Sequence, residues 1–160
     1  MTSSFDPSLD LKIERIIKGP RSAVWSAWTD PKSFEQWWVP APTRCQVVEM
    51  DVRPGGGLVT RMSEDGGAFV PHMTACYLAV EDERRIVFTN TMAGGWRPVA
   101  EPFVAITAII SLDDHPQGTQ YVAHVMHRNA ADSGRHEQMG FYDGWGTVAA
   151  QLAALIERQA

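Results

Sequence analysis

Near the end of the chain, Phe141, Trp145, Val148, Leu152 and Leu155 recur at spacings of three and four. That period sets one apolar face along a helix over roughly residues 133–158, with Asp132 or Ser133 as its cap. A stripe this long needs an equally long apolar surface to cover it. The rest of the chain offers strands for the purpose. Leu9, Leu11 and Ile13 alternate with Asp10, Lys12 and Glu14, the period of a half-buried strand. Strand-like runs follow at 43–52, 58–63, 68–80, 85–91, 103–112 and 119–127. Turn chemistry separates them at Pro54-Gly55, at Asp65-Gly66-Gly67, at the charged residues 81–84 and at residues 113–118. The expected fold is α+β: one antiparallel sheet curled around a terminal helix, in a single domain over residues 1–160.

Between the first strand and the second lies the stretch AWTDPKSFEQWW, three tryptophans in residues 27–38. A short helix begins near Pro20 and carries Val24, Trp25 and Trp28. Asp30 caps a second, with Pro31 in its first turn. Phe34, Trp37 and Trp38 then stand at i, i+3 and i+4 and share one side of it. Core burial accounts for Trp25 and Trp28. Trp37 and Trp38 reach the edge of the same apolar face, where a pocket wall is expected.

Pairing Leu78 with Phe88 places Cys76, Leu78 and Val80 on one face with Ile86, Phe88 and Asn90, and the same alternation carries His72 and Thr74 inward. Val104, Ile106, Ala108 and Ile110 face inward from one later strand, and Tyr121, Ala123 and Val125 from the next. The glycine- and proline-rich stretch 92–102, which contains Trp96, has the length and composition of a lid or binding loop. Gly140, Gly144 and Gly146 fall in the first half of the long helix, each costing about 1 kcal/mol against alanine. Either a close approach of another element or room for a ligand beside Phe141 and Trp145 offsets that cost.

Several functions are excluded or lack a signature. With 14 basic against 19 acidic side chains, the chain has no general electrostatic grip on nucleic acid. Its longest nearly apolar run, residues 103–112, is half a membrane span. Cys45 and Cys76 are too few and too far apart for a disulfide framework, and a cytoplasmic location is expected. His124 and His127 lie three apart on a strand, so they face opposite sides and share no metal. Residues 53–58 lack the Lys-Ser/Thr of a phosphate loop, and no G-x-S-x-G elbow occurs. No cofactor is expected. His72 or His127 remains a candidate hydrogen-bond handle or general base.

The motifs GPRSAVWSAWTDPKSFEQWWVP, DVRPGGGL, ERRIVFTN and the closing GFYDGWGTVAAQLAAL together resemble the activator-of-heat-shock-ATPase homologue (AHSA-type) family of the START-like, or SRPBCC, superfamily. The resemblance runs over almost the whole chain. It implies a helix-grip fold, a strongly bent antiparallel sheet around the C-terminal helix with a cavity between them. Ala75 and Ala79 stand where the family usually has a glycine and an acidic residue.

Fold likeness does not fix activity. The leading expectation is binding of a small apolar or amphipathic molecule between sheet and helix. Trp37, Trp38, Phe88, Trp96, Phe141 and Trp145 would supply surface; His72, Asn90 and Tyr121 would supply orientation. Two alternatives stand beside it. One is an enzyme of the cyclase or hydratase type using a cavity histidine. The other is a co-chaperone-like interaction module, with a chaperone or a second copy of the chain as partner.

Overall fold

Proline and aspartate break the early chain where the sequence predicts. The computed structural model describes residues 4–159. Strand β1 (Asp10–Ile17) leads into α1 (Arg21–Thr29) and the single turn α2 (Pro31–Phe34). Asp30 caps α2, its Oδ2 accepting the Ser33 N–H at 2.9 Å. Trp37 and Trp38 lie just beyond α2, yet both backbone N–H groups bond the Phe34 carbonyl, at 3.3 and 3.2 Å. The helical spacing of these three rings therefore outlasts the helix itself.

The large sheet takes β2 (Arg44–Met50), β3 (Gly57–Ser63), β4 (Val70–Glu81), β5 (Arg85–Thr89), β8 (Ile106–His115) and β9 (Gly118–His127) in addition to β1. Its order is β1-β9-β8-β5-β4-β3-β2, and every neighbouring pair is antiparallel. A small hairpin of β6 (Met92–Ala93) and β7 (Arg97–Pro98) stands apart from it. Across the middle of the sheet Tyr77, Phe88, Ala108, Val125 and Leu11 fall in one register row, all buried.

That row corrects the expected pairing. Phe88 sits opposite Tyr77, not Leu78, because the register slips between Tyr77 and Ala79. Leu78 is the extra residue of that bulge, so Tyr77 turns inward and Cys76 turns to the other face. A second slip, between Thr60 and Arg61, leaves His72 as an extra residue on β4. The His72 ring reaches Thr60 on the inner face through this bulge, whereas Thr74 is exposed.

The helix expected over 133–158 is two helices. Asn129, not Asp132 or Ser133, caps α3 (Ala130–Gln138): its Oδ1 accepts the Asp132 N–H at 2.8 Å. Gly140 then takes a φ of +100° and α4 (Phe141–Arg158) starts afresh. Glycine adopts that left-handed backbone without steric cost, so the chain turns there, just ahead of the periodic stripe. The buried stripe of α4 comprises Phe141 and then, from Val148 onward, Ala149, Leu152, Ala153, Leu155 and Ile156. These side chains join the single core formed with α1 and the inner face of the sheet. No helix among the described residues is long and apolar enough to cross a membrane.

Gln151 ties the tryptophan segment to α4. Its Nε2 donates to the carbonyls of Trp37 at 3.0 Å and Val39 at 2.9 Å, and its Oε1 accepts the Ala41 N–H at 2.8 Å. Replacing Gln151 by alanine removes all three bonds and is expected to cost about 1–3 kcal/mol. Urea unfolding of the variant checks this; an unchanged midpoint would show that the segment holds its place without the amide.

Candidate cavity between the sheet and the C-terminal helix

A cavity of about 420 Å³ opens where the first half of α4 parts from the sheet. Trp38, Val39 and Pro40 form one wall and Gly140, Phe141, Gly144, Trp145 and Val148 another. His72 and Met73 come from β4, Asn90 from the end of β5, and His136 and Met139 from the end of α3. The segment Pro102–Val104 crosses the opening.

Part of the lining is a continuous aromatic row. Trp38 meets Trp145 edge-on at 5.9 Å between ring centres, Trp145 stacks on Phe141 at 5.7 Å, and Phe141 meets His136 edge-on at 5.1 Å. These are favourable spacings for ring pairs. Trp38 is also packed against Trp28, Phe34, Trp37 and Phe88. Its indole N–H is sealed without an acceptor among the described residues, so Trp38 offers the cavity apolar surface alone.

Five of the nine residues expected at a binding site line this cavity: Trp38, His72, Asn90, Phe141 and Trp145. Four do not. Trp37 is fully buried behind Trp38, its Nε1–H donating to the Ala27 carbonyl at 3.0 Å. Phe88 and Tyr121 are core residues in the sheet, and burial pushes the Tyr121 hydroxyl pKa up. Trp96 sits on the tip between β6 and β7 with half its surface exposed (51 %). It leans on Gly55, where an added Cβ would fall 2.6 Å from the indole nitrogen. Residues 92–98 therefore dock against the β3 end of the sheet, away from the cavity, and only the stretch beyond them reaches the mouth.

The polar groups divide in a way the sequence did not show. Asn90 lines the cavity, but both ends of its amide are engaged. Nδ2 donates to the Val104 carbonyl at 2.9 Å and Oδ1 accepts the Ile106 N–H at 2.8 Å. The side chain thus acts as a peptide unit that starts β8, not as a handle for a ligand carbonyl. His72 is solvent-accessible at the rim, its Nδ1 3.0 Å from Thr60 Oγ1. The protein that crowds its remaining sides lowers its pKa.

His136 is the residue that sequence reasoning missed. Its Nδ1 lies 2.8 Å from Nε2 of His127, whose own Nδ1 is 2.9 Å from the Leu9 carbonyl. Burial, with the neighbouring His127 second, pushes the His136 pKa down to about 4. No local motif could have found it, since its partner arrives from β9. His124 lies on the opposite face of β9 and donates from Nε2 to Asp10 Oδ2 at 2.8 Å. Among the described residues no group of three or more His, Cys, Asp or Glu side chains is placed to hold a metal.

A larger hollow, about 760 Å³, lies on the outer face of the sheet. Val87, Thr107, Ile109 and Met126 form its floor, and Val99, Pro102 and Ala105 overhang it. The ion-paired Arg128 and Glu101 border it. This is the space between a strand surface and an overhanging connection. It has no helical glycine and no aromatic row, and the inner cavity is the better candidate site.

A bent antiparallel sheet packed around a C-terminal helix, with a cavity left between them, defines a protein of the helix-grip class. The family model described as "Activator of Hsp90 ATPase homolog 1-like protein" matches residues 18–157, and the chain belongs to that family. It is similar to the solved structure of protein NE0264 from Nitrosomonas europaea, with 35% identity and a TM-score of 0.87 over 97% of this chain and 98% of that one. The AHSA1-like protein from Aeromonas hydrophila shares the fold at 20% identity, with a TM-score of 0.69 and 94% of each chain covered. Protein Ms6760 from Mycobacterium smegmatis does so at 23% identity and a TM-score of 0.75, covering 93% of this chain and 91% of that one. No protein of curated function matches the chain.

The depressed His136 pKa has a consequence for stability. In the unfolded chain the imidazole regains its ordinary value near 6.5, so between that pH and about 4 the unfolded state binds more protons than the folded one. Stability should fall as pH drops through this window, and His72 adds to the trend with the same sign. Urea midpoints at pH 7 and pH 5 test it: the loss on acidification should shrink in His136→Asn. An equal loss in both proteins would mean that His136 is not the group responsible.

Proposed function

We propose that this protein binds a small, largely apolar molecule in the cavity between the sheet and α4, with Trp38, Phe141 and Trp145 as the contact surface. The observation that carries this reading is Gly144. It is a helical residue bordering the cavity, and a Cβ added there would meet nothing within 4 Å. Close packing therefore does not explain it. A glycine inside a helix costs about 1 kcal/mol relative to alanine. Open space is what that cost keeps, and the space is walled by aromatic rings.

The exposed side chains at the mouth favour a second reading. Phe103 is 71 % exposed and Met139 55 % exposed, and both border the opening. Apolar groups left at a rim also suit a protein partner, a chaperone or a second copy of the chain. The cyclase-type alternative has less support: burial lowers the pKa of His72, and His127 does not line the cavity, its two ring nitrogens meeting the Leu9 carbonyl and His136. Cys45 and Cys76 are both free thiols, which agrees with a reducing, cytoplasmic location. Burial pushes the Cys45 thiol up to about 12, so it is an inert core group.

Two substitutions at Gly144 test the binding reading with 2-naphthol as a fluorescent probe. Gly144→Ala should raise stability by about 0.5–1 kcal/mol and keep probe binding. Gly144→Leu, which fills the space from the helix side, should weaken binding at least tenfold while the protein stays folded by circular dichroism. Equal affinity in a folded Gly144→Leu protein would overturn the proposal.

A further inference from the structure

The two histidines fix each other's protons. A carbonyl oxygen only accepts, so the 2.9 Å contact to Leu9 requires the proton of His127 to be on Nδ1. In neutral His127 the Nε2 is then a lone pair. The 2.8 Å contact to His136 requires His136 to donate from its own Nδ1. Neutral His136 is left with its Nε2 unprotonated. Both rings are thus held in the Nδ1–H form by one backbone carbonyl two links away.

Among the described residues Nε2 of His136 has no protein partner. It is also not among the sealed, partnerless side-chain atoms, unlike Trp38 Nε1 and Tyr77 Oη. The atom is therefore open, on a ring that lines the cavity and ends the aromatic row. Among the described side chains lining the cavity, Asn90 is occupied by backbone and His72 lies out at the rim. Two polar atoms of the row stay open: the Trp145 indole N–H, which can only donate, and His136 Nε2, the acceptor.

We infer that His136 presents an obligate hydrogen-bond acceptor to the cavity, so that the molecule bound there is an apolar body carrying an O–H or N–H donor, of the phenol or alcohol class. The inference rests on the binding reading above and adds the chemistry of the ligand. At His136 a group with only acceptors, such as an ether or a ketone, meets a lone pair and gains no bond there. Adding one proton to the pair reverses the preference, because either protonated arrangement places a hydrogen on His136 Nε2. Charged groups close to the pair in the chain are Asp132 and Arg135 on α3 with His136 and Arg128 next to His127; they are ion-paired among themselves, with Glu101 joined to Arg128. The depressed pKa of His136 keeps that ring neutral at neutral pH.

Two measurements test it on the intact protein. Long-range ¹H–¹⁵N NMR of the imidazoles at pH 7 should show His127 and His136 both as Nδ1–H tautomers; an Nε2–H tautomer at His136 would overturn the inference without any variant. Binding of 2-naphthol should then exceed that of 2-methoxynaphthalene, which has the same ring body and no donor, by about three- to tenfold. The preference should vanish in His136→Phe. If both compounds bind equally, the cavity reading stands and the acceptor inference fails. If neither binds, the binding reading fails and this one with it.

Discussion

The architecture depends on how α4 is seated. From Val148 to Ile156 its apolar stripe is pressed into the core against β1, α1 and the inner face of the sheet. That burial fixes the axis of the helix. The other half, from Phe141 to Thr147, extends along a direction already decided, and there the sheet no longer meets it. Phe141 and Trp145 turn towards the resulting gap, while Gly140 and Gly144 leave it unfilled. A helix packed along its whole length would need side chains at those glycines. The cavity is thus a consequence of where packing stops.

The remaining walls are held by backbone surrogates. Gln151 reaches from α4 to three peptide groups and fixes the Trp37–Ala41 segment. Asn90 does the same for the entry to β8, bonding one carbonyl and one N–H across a place where the strand ladder has not yet begun. Leu9 aligns His127 and, through it, His136. In each case a side chain, half-buried for the two amides and buried for His127, satisfies polar groups that would otherwise be unpaired, which gives the site rigidity.

Much of the fold was legible because its signals are local and periodic. The Asp30-Pro31 cap, the Asp65-Gly66-Gly67 turn and the stripe from Phe141 to Leu155 each state their structure within a few residues. The errors arose where one residue shifts a period. Leu78 and His72, the extra residues of two bulges, reverse the faces that strict alternation predicts, so Tyr77 rather than Leu78 meets Phe88. Gly140 splits the final helix through a left-handed backbone turn, which helix propensity alone does not reveal. Trp38, Phe141 and Trp145 could be placed at the cavity from helical spacing. His136 could not, since its meaning depends on His127, nine residues earlier on a strand, and through it on the Leu9 carbonyl more than a hundred residues away in the chain.

The central claim is that Trp38 and Trp145 wall an accessible cavity while Trp37 is core and Trp96 lies elsewhere. The six indole N–H signals of this protein report it directly in a two-dimensional ¹H–¹⁵N spectrum during titration with 2-naphthol. The account predicts saturable shifts at Trp145 and Trp38, with Trp25 and Trp96 unmoved. Shifts centred on Trp96, or none at Trp145 while the probe binds, would contradict it.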